Sequence, residues 1–431
     1  MRRIFNFSQK LSIKLPILVS VIILSIISFF ILKYTSSHTS EIFGFKLIRA
    51  EKQFLWIIIG SLLFFFIQFI RLRFFHEKIN LMYIMMLVLI SLPFFSEEVK
   101  GAQNWIFGFQ PSEICKIIIV MVLAKFLSDN HRNINTFYSI FISLIIVAVP
   151  VIILFIQKDI GTALIYLSIV LPMLYWAGLS SFYIFLILSP IISMYVSMSY
   201  NIYNDYSIEG GFPIIFLFLW ISSILLVLMK LFFSDININR YKYIIIMVFI
   251  NVGIVIISDQ AWSYLNQEDA NYMHIKRRIE NFVVPALNPH DGGWQVQQSM
   301  VAVGSGGVFG LGLGEGHQVK GGFLREPDTD FIISNISETF GFSSIFLIIL
   351  IYLFLIYWLL NYAEKCKKNF FSLVIIGYLS ILLFHMLITL GMAVALAPIT
   401  GVPAPFLSYG GTFTLSCFAM LGICNNISNN I

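Results

Sequence analysis

LPILVSVIILSIISFFIL, residues 15–32, is an eighteen-residue run without a single charge. A helix must supply roughly 20 apolar residues to cross the hydrocarbon core of a bilayer, and this run comes close to that on its own. Moving outward along the chain, the pattern repeats. Apolar stretches stand at about 15–32, 54–70, 79–95, 114–127, 138–156, 163–177, 182–199, 213–232, 243–257, 341–361, 370–395 and 406–424. The expected fold is therefore an all-α integral membrane bundle of about twelve spans, a single polytopic domain over residues 1–431. Composition agrees: 58% of residues are hydrophobic and 11% charged, whereas soluble domains carry about a quarter charged residues. Prolines 150, 172 and 190 are expected to interrupt the fifth to seventh helices, a break that neighbouring helices or a polar cavity can accommodate.

The first run is long and lacks a small-residue cleavage site, so it reads as a retained anchor. Cys115, Cys366, Cys417 and Cys424 lie in or beside apolar segments without metal-ligand spacing, the pattern of free thiols. No basic stripe with interleaved aromatics suggests a nucleic-acid partner.

Lys and Arg set the orientation of such a chain. With the N-terminus inside, the inner segments hold fifteen of them, among them Arg71, Arg73, Lys365, Lys367 and Lys368, and the short outer loops hold six. Both termini are thus expected on the cytoplasmic side. A long loop, 258–340, then lies outside. The same topology puts GAQNWIFGFQPSE (101–113), QKDIGT (157–162), PITGVPAP (398–405) and SYGGT (408–412) on that outer face. Irregular, Gly- and Pro-rich backbone at membrane depth is tolerated where it lines a cavity, so a shared extracytoplasmic cavity is expected.

Several residues in these segments carry chemistry. Asp291 precedes Gly292 and Gly293; it fits a general base on flexible backbone and equally a turn. Asp159 fits a functional carboxylate at the membrane edge or a helix N-cap. Lys116 follows Glu113 by three residues on one helical face, the spacing of an ion pair. Trp105 fits the interfacial aromatic belt or a sugar-stacking platform. His385, in an apolar helix, reads as a hydrogen-bonded packing residue. Glu326, Asp328, Asp330 and Glu338 form an acidic cluster that suits a divalent cation or helix capping. The glycines from 304 to 316 lack a preceding strand and a GK[ST], which excludes a P-loop or dinucleotide fingerprint; tight turns and close helix approach suit them better.

Taken in order, GAQNW with FQPSEICK (101–116), QKDIGTAL (157–164), NPHDGGWQVQQSMVAVGSGGVFGLG (288–312), LREPDTDFI with ETFGF (324–342) and GMAVALAPITGVPAPFLSYGGT (391–412) resemble the SEDS family of peptidoglycan polymerases, with the last segment more similar to its elongation branch. The resemblance implies a glycosyltransferase that polymerises lipid II, an undecaprenyl-linked precursor, into glycan strands on the outer face of the cytoplasmic membrane, with a class B penicillin-binding protein as partner. It implies Asp291 as the catalytic aspartate and a substrate-binding set of Trp105, Glu113, Lys116, Asp159, Arg278, Gln298 and Ser408. A divalent cation such as Mg²⁺ or Mn²⁺ is a further expectation for the leaving pyrophosphate. The family is generally built from ten spans, so residues 213–257 read as an inserted hairpin, and two added spans leave the motifs on the same side. A division-branch polymerase, a lipid II flippase and a non-catalytic scaffold are the rival readings; transport sites usually lie near the midplane, whereas these motifs gather on one face.

Overall fold

The structure, a computed structural model, describes residues 12–35, 39–42, 45–98, 102–206, 220, 239–266, 276, 280, 283–284 and 292–430. The helices are α1 (Leu15–Thr35), α2 (Arg49–Ile67), α3 (Leu72–Ser91), α4 (Pro111–Asp129), α5 (Phe137–Ile156), α6 (Ile160–Trp176), α7 (Ser181–Asp205), α8 (Asn239–Leu265), α9 (Gly292–Ser305), α10 (His317–Lys320), α11 (Ile332–Lys365), α12 (Asn369–Ala393) and α13 (Gly411–Ser428). The departure from an all-helical chain among the described residues is a short antiparallel pair, β1 (Thr39–Ile42) and β2 (Phe45–Ile48). Eight of the helices are long and apolar enough to cross a membrane. Eleven of the twelve expected stretches lie on helices; the stretch 213–232 lies outside the described residues apart from Trp220.

Two differences from the sequence reading have clear causes. The expected outer loop is partly helical: α8 continues to Leu265, α9 begins at Gly292, and α11 begins at Ile332. Residues Ser334, Asn335, Ser337, Glu338 and Thr339 look like loop by polarity, yet all are buried in the first turns of α11. Gly341, at φ +76°, then breaks that helix, and the glycine-rich segment after α9 wraps around the break. Leu311 and Gly312 donate backbone N–H bonds to the carbonyls of Glu338 and Thr339, while Phe342 and Ser343 donate to those of Gly307 and Val308. A Cβ on Gly306 would sit 2.0 Å from the Ser337 carbonyl oxygen, which is why the backbone there must be bare.

The prolines, against expectation, lie inside continuous helices. Each removes an amide and orphans the carbonyl four residues earlier. For Pro150 that carbonyl belongs to Ile146, and the Tyr83 hydroxyl of α3 donates to it at 3.0 Å. For Pro190 it belongs to Leu186, which receives the Ser189 hydroxyl at 3.4 Å.

The described chain divides into two compact units, residues 1–179 with 295–431, and residues 180–294. In the second, α7 and α8 are joined by Asn251, whose amide donates to Ser189 and whose oxygen accepts from Ser193. The first holds the remaining spans. Its α2 and α13 pack closely, and a polar clasp closes one end: Asn425 bonds Gln68, the Ser12 carbonyl and the Lys14 amide, while Asn426 donates to the carbonyls of Ile67 and Ile70. In lipid, such buried amides must find partners within the protein.

Candidate functional site

Four irregular segments and the first turns of α4, α6, α11 and α13 converge at one end of the first unit. The joining begins at Gln103, whose amide donates to the Gln157 carbonyl at 3.0 Å. Residues 106–109 form a tight turn in which Phe107 and Gly108 both have positive φ and Ile106 and Phe109 exchange backbone bonds. That turn sends the chain back so that Asn104 and Gln110 both face Asp159. The Asp159 Oδ2 accepts from Asn104 Nδ2 at 2.8 Å and Gln110 Nε2 at 3.0 Å, while Oδ1 accepts from the Thr162 amide at 3.2 Å. The helix-cap reading of Asp159 is thus present, since it caps α6, and its other oxygen also ties Asn104 and Gln110 of the first outer motif to that helix. Its chain neighbour Lys158, at φ +62°, turns away to pair with Glu98 on the surface.

Asn104, which sequence reasoning did not single out, holds the more informative atom. The residue is 8% exposed, its amide nitrogen serves Asp159, and its Oδ1 has no hydrogen-bond partner among the described residues. A buried acceptor left open costs free energy, so this oxygen marks where a ligand N–H or O–H would be held. An Asn in an Asn-Trp pair beside a turn was the available signal.

One turn into α4, Lys116 Nζ lies 2.7 Å from Glu113 Oε1 and 3.1 Å from His385 Nε2. Since His385 Nδ1 lies 2.9 Å from the Pro403 carbonyl, the imidazole donates there and presents Nε2 as acceptor to the ammonium. The Phe413 ring lies 5.5 Å from the same Nζ, and Ser416 donates to Glu113 Oε2 at 3.4 Å. The expected ion pair and the hydrogen-bonded packing role of His385 thus belong to one buried network. It ties α4, α12, the 398–405 segment and α13 together.

The remaining segments are joined in the same way. A Cβ on Gly161 would lie 2.2 Å from the Thr400 carbonyl oxygen, so α6 and the PITG turn touch backbone to backbone. Ser408 is buried; its hydroxyl donates to the Thr329 carbonyl at 2.6 Å and accepts from the Ala404 amide at 2.9 Å. It therefore holds two loops to each other and faces no cavity with that hydroxyl. Tyr409 donates its amide to the Asp328 carbonyl. Burial raises its phenol above the ordinary value, with nearby Arg49 acting in the opposite sense.

The acidic cluster resolves into separate jobs. Asp328 pairs with Arg49 at 3.0 Å and accepts from the Thr35 hydroxyl, with Glu326 3.9 Å from the same guanidinium. Glu338 accepts the Gln318 and Val319 amides, capping α10; the capping expected at the start of α11 is absent, because Phe331 occupies that position. Among the described residues no group of three His, Cys, Asp or Glu could hold a metal ion. Trp105 is half-buried, with its carbonyl accepting from Ser96. Gln298 is half-buried on α9, next to Ser299, which bonds Ser334 and the Ala393 carbonyl. Asp291 and Arg278 lie outside the described residues. An apolar groove of about 280 Å³ runs between α1 and α2, with Phe418 at its wall.

Known proteins resemble this chain in sequence and fold. The peptidoglycan glycosyltransferase RodA of Treponema pallidum (strain Nichols) is 28% identical over 411 residues, 92% of this chain and 93% of its own. The stage V sporulation protein E of Bacillus subtilis (strain 168) is 28% identical over 387 residues, 88% and 86%. Among solved structures, one described as the structural coordination of polymerization and crosslinking by a peptidoglycan synthase complex superposes with a TM-score of 0.66 at 20% identity, covering 97% of this chain and 98% of that one. Thermus thermophilus RodA gives 0.59 at 19%, covering 98% of each. The model of one family matches residues 14–210 and 217–431, running through most of the segment read as an inserted hairpin. By that match the chain belongs to the FtsW/RodA/SpoVE family, described as cell cycle proteins.

Proposed function

We propose that this chain is a peptidoglycan glycosyltransferase, polymerising lipid II into glycan strands for cell-wall elongation. The observation that carries this is the physical union of the ordered motifs: residues 103–116, 157–162, 328–338 and 398–416 form one bonded network at one end of the bundle. Relatives named as glycosyltransferases align along nearly the whole chain.

In the proposed reaction Asp291 accepts the proton of the 4-hydroxyl of the acceptor's N-acetylglucosamine. The oxygen attacks the anomeric carbon of the donor's N-acetylmuramic acid, the bond to undecaprenyl pyrophosphate breaks, and the configuration inverts. A positioned general base contributes typically about 10²–10⁴-fold. Charge builds on the departing pyrophosphate, and a fixed cation there lowers the barrier; Arg278 is assigned that role, since Lys116 is already engaged by Glu113 and His385. Asp159 holds Asn104, whose free oxygen accepts from a sugar hydroxyl or acetamido N–H. Trp105 and Gln298 are proposed as further substrate contacts, and Ser408 and the Glu113–Lys116 pair hold the surrounding segments together. Glu326 and Asp328 face Arg49 and Glu338 holds backbone amides, so in this proposal Mg²⁺ or Mn²⁺ would arrive on the pyrophosphate. The groove between α1 and α2 offers an apolar slot for a polyprenyl tail.

In this reading the chain sits in the cytoplasmic membrane with both termini inside and works beside a class B penicillin-binding protein. Full-length protein in vesicles with labelled lipid II tests it. The wild type should yield glycan chains and Asp291→Ala should yield none; chains made equally by the variant would remove Asp291 from the mechanism. Movement of lipid II across the bilayer without polymerisation would favour a flippase.

A further inference from the structure

At the opposite end of the first unit, about 28 Å away along α2 at 1.5 Å per residue and beside the Asn425–Asn426 clasp, a second cavity stands apart from the motif network. Its volume is about 710 Å³, and its lining includes Arg71, Arg73, His76, Lys367 and Lys368. No Asp or Glu lines it. Neither arginine and neither lysine forms an ion pair among the described residues.

These charges sit where the backbone is already positive. Arg71 is the N-cap of α3 and Lys368 the N-cap of α12, and neither helix has a side-chain cap. A helix N-terminus carries unsatisfied N–H groups and about half a positive charge. Cations gathered on two such termini repel the dipoles and one another unless an anion is shared between them, and helix N-termini are ready anion sites. The rest of the wall mixes apolar side chains, Leu72, Phe370, Phe371 and Ile427, with Ser128, Asn369, Asn430 and Cys366. His76 packs edge-on against Phe370, with ring centroids 4.9 Å apart. A site that sets four cations and hydrogen-bonding side chains beside Leu72, Phe370, Phe371 and Ile427, at the ends of membrane helices, suits a phosphate that carries a hydrocarbon tail.

We propose that this cavity binds the phosphate headgroup of an anionic membrane phospholipid. The lipid bridges the α2–α3 turn and the α11–α12 connection, and it neutralises a cluster that has no ion-pair partner among the described residues. Basic pockets between membrane helices recognise anionic headgroups.

The test uses the full chain in nanodiscs of phosphatidylcholine alone or with phosphatidylglycerol or cardiolipin added, read by native mass spectrometry and thermal unfolding. The wild type should retain the anionic lipid over phosphatidylcholine and unfold at higher temperature when it is present. Arg71→Gln with Arg73→Gln, and separately Lys367→Gln with Lys368→Gln, should each lower retention about tenfold or more and erase the lipid-dependent shift. Their unfolding in phosphatidylcholine alone should match the wild type. If the arginine pair fails to fold, the lysine pair, in an exposed connection, decides. Equal retention by the variants would overturn the proposal. So would millimolar inorganic phosphate reproducing the stabilisation and displacing the lipid, which would assign the site to the free anion. Stabilisation by a glutamate-rich peptide without lipid preference would point to a protein segment and overturn it as well.

Discussion

Lys116 Nζ lies 2.7 Å from Glu113 Oε1 at a point where neither side chain reaches solvent. The pair is not isolated: His385 accepts from the ammonium, Ser416 donates to the other carboxylate oxygen, and the Phe413 ring lies beside the cation. Removing one member of a buried pair leaves an uncompensated charge, at a cost of about 3–5 kcal/mol, whereas replacing both by apolar groups is often close to neutral. Lys116→Met should therefore destabilise the protein strongly. Glu113→Leu with Lys116→Met should recover much of that loss. Unfolding midpoints of the purified variants in one detergent check this, and a double variant no more stable than the single one would contradict the assignment.

Asp159 uses its two oxygens for incompatible demands. Oδ1 takes the Thr162 amide, and Oδ2 takes both Asn104 and Gln110. An asparagine there must aim its amine either at two other amines or at the helix amide, so no rotamer satisfies all three donors. Hydrogen bonds to charged groups contribute about 1.5–3 kcal/mol. Asp159→Asn should lower the polymerisation rate by roughly 10- to 100-fold, and Asn104→Ala, which removes both a donor to Asp159 and the proposed acceptor for substrate, should lower it as well. A wild-type rate in Asp159→Asn would show that the cradle has no part in the reaction.

How much of this was legible in the sequence follows from the range of each force. Hydropathy is local, so the spans at 15–32 and 370–395 could be read from composition within a window. The Glu113–Lys116 pair was legible because three residues is one helical turn. The partners that give the pair its place were not: His385 is 269 residues away and Ser416 303. Polarity misled at 332–340, where Asn335 and Glu338 mimic a loop while lying in a buried helix. The same blindness hid Asn425, which meets Gln68 of the α2 C-cap, and Asn426, whose carbonyl partners at Ile67 and Ile70 exist only once α2 meets α13. Asp159 was half legible: its capping role is three residues long, and its link to Asn104 is not.

The glycine segment separates conformational strain from steric contact. Gly341 has φ +76°, and an added Cβ would lie 2.4 Å from both the Gly310 nitrogen and the Val308 oxygen. Gly312 has φ +104° but open space around it. Alanine at 312 should cost only the left-handed backbone penalty, about 1–3 kcal/mol. Alanine at 341 should add a clash with backbone that cannot move without undoing the bonds from Phe342 and Ser343. The measurement is the yield of monodisperse protein after extraction together with its unfolding midpoint, and equal behaviour of the two variants would contradict the packing described here.

Pro150 and Tyr83 offer a cleaner energetic test, because the structure assigns one hydrogen bond to one missing amide. Pro150 deprives the Ile146 carbonyl of its helical donor, and the Tyr83 hydroxyl reaches across from α3 to supply one at 3.0 Å. Burial matters here, since a carbonyl left open in an apolar setting costs about 1–3 kcal/mol. Tyr83→Phe should therefore destabilise the wild type by about that amount. In a Pro150→Ala background the helix regains its own amide at position 150, and the same Tyr83→Phe change should cost much less. The two substitutions must then be non-additive, with a coupling of about 1 kcal/mol expected of residues that share one partner. Additive effects would mean that the Ile146 carbonyl is satisfied from elsewhere, and that α3 and α5 are joined by packing alone.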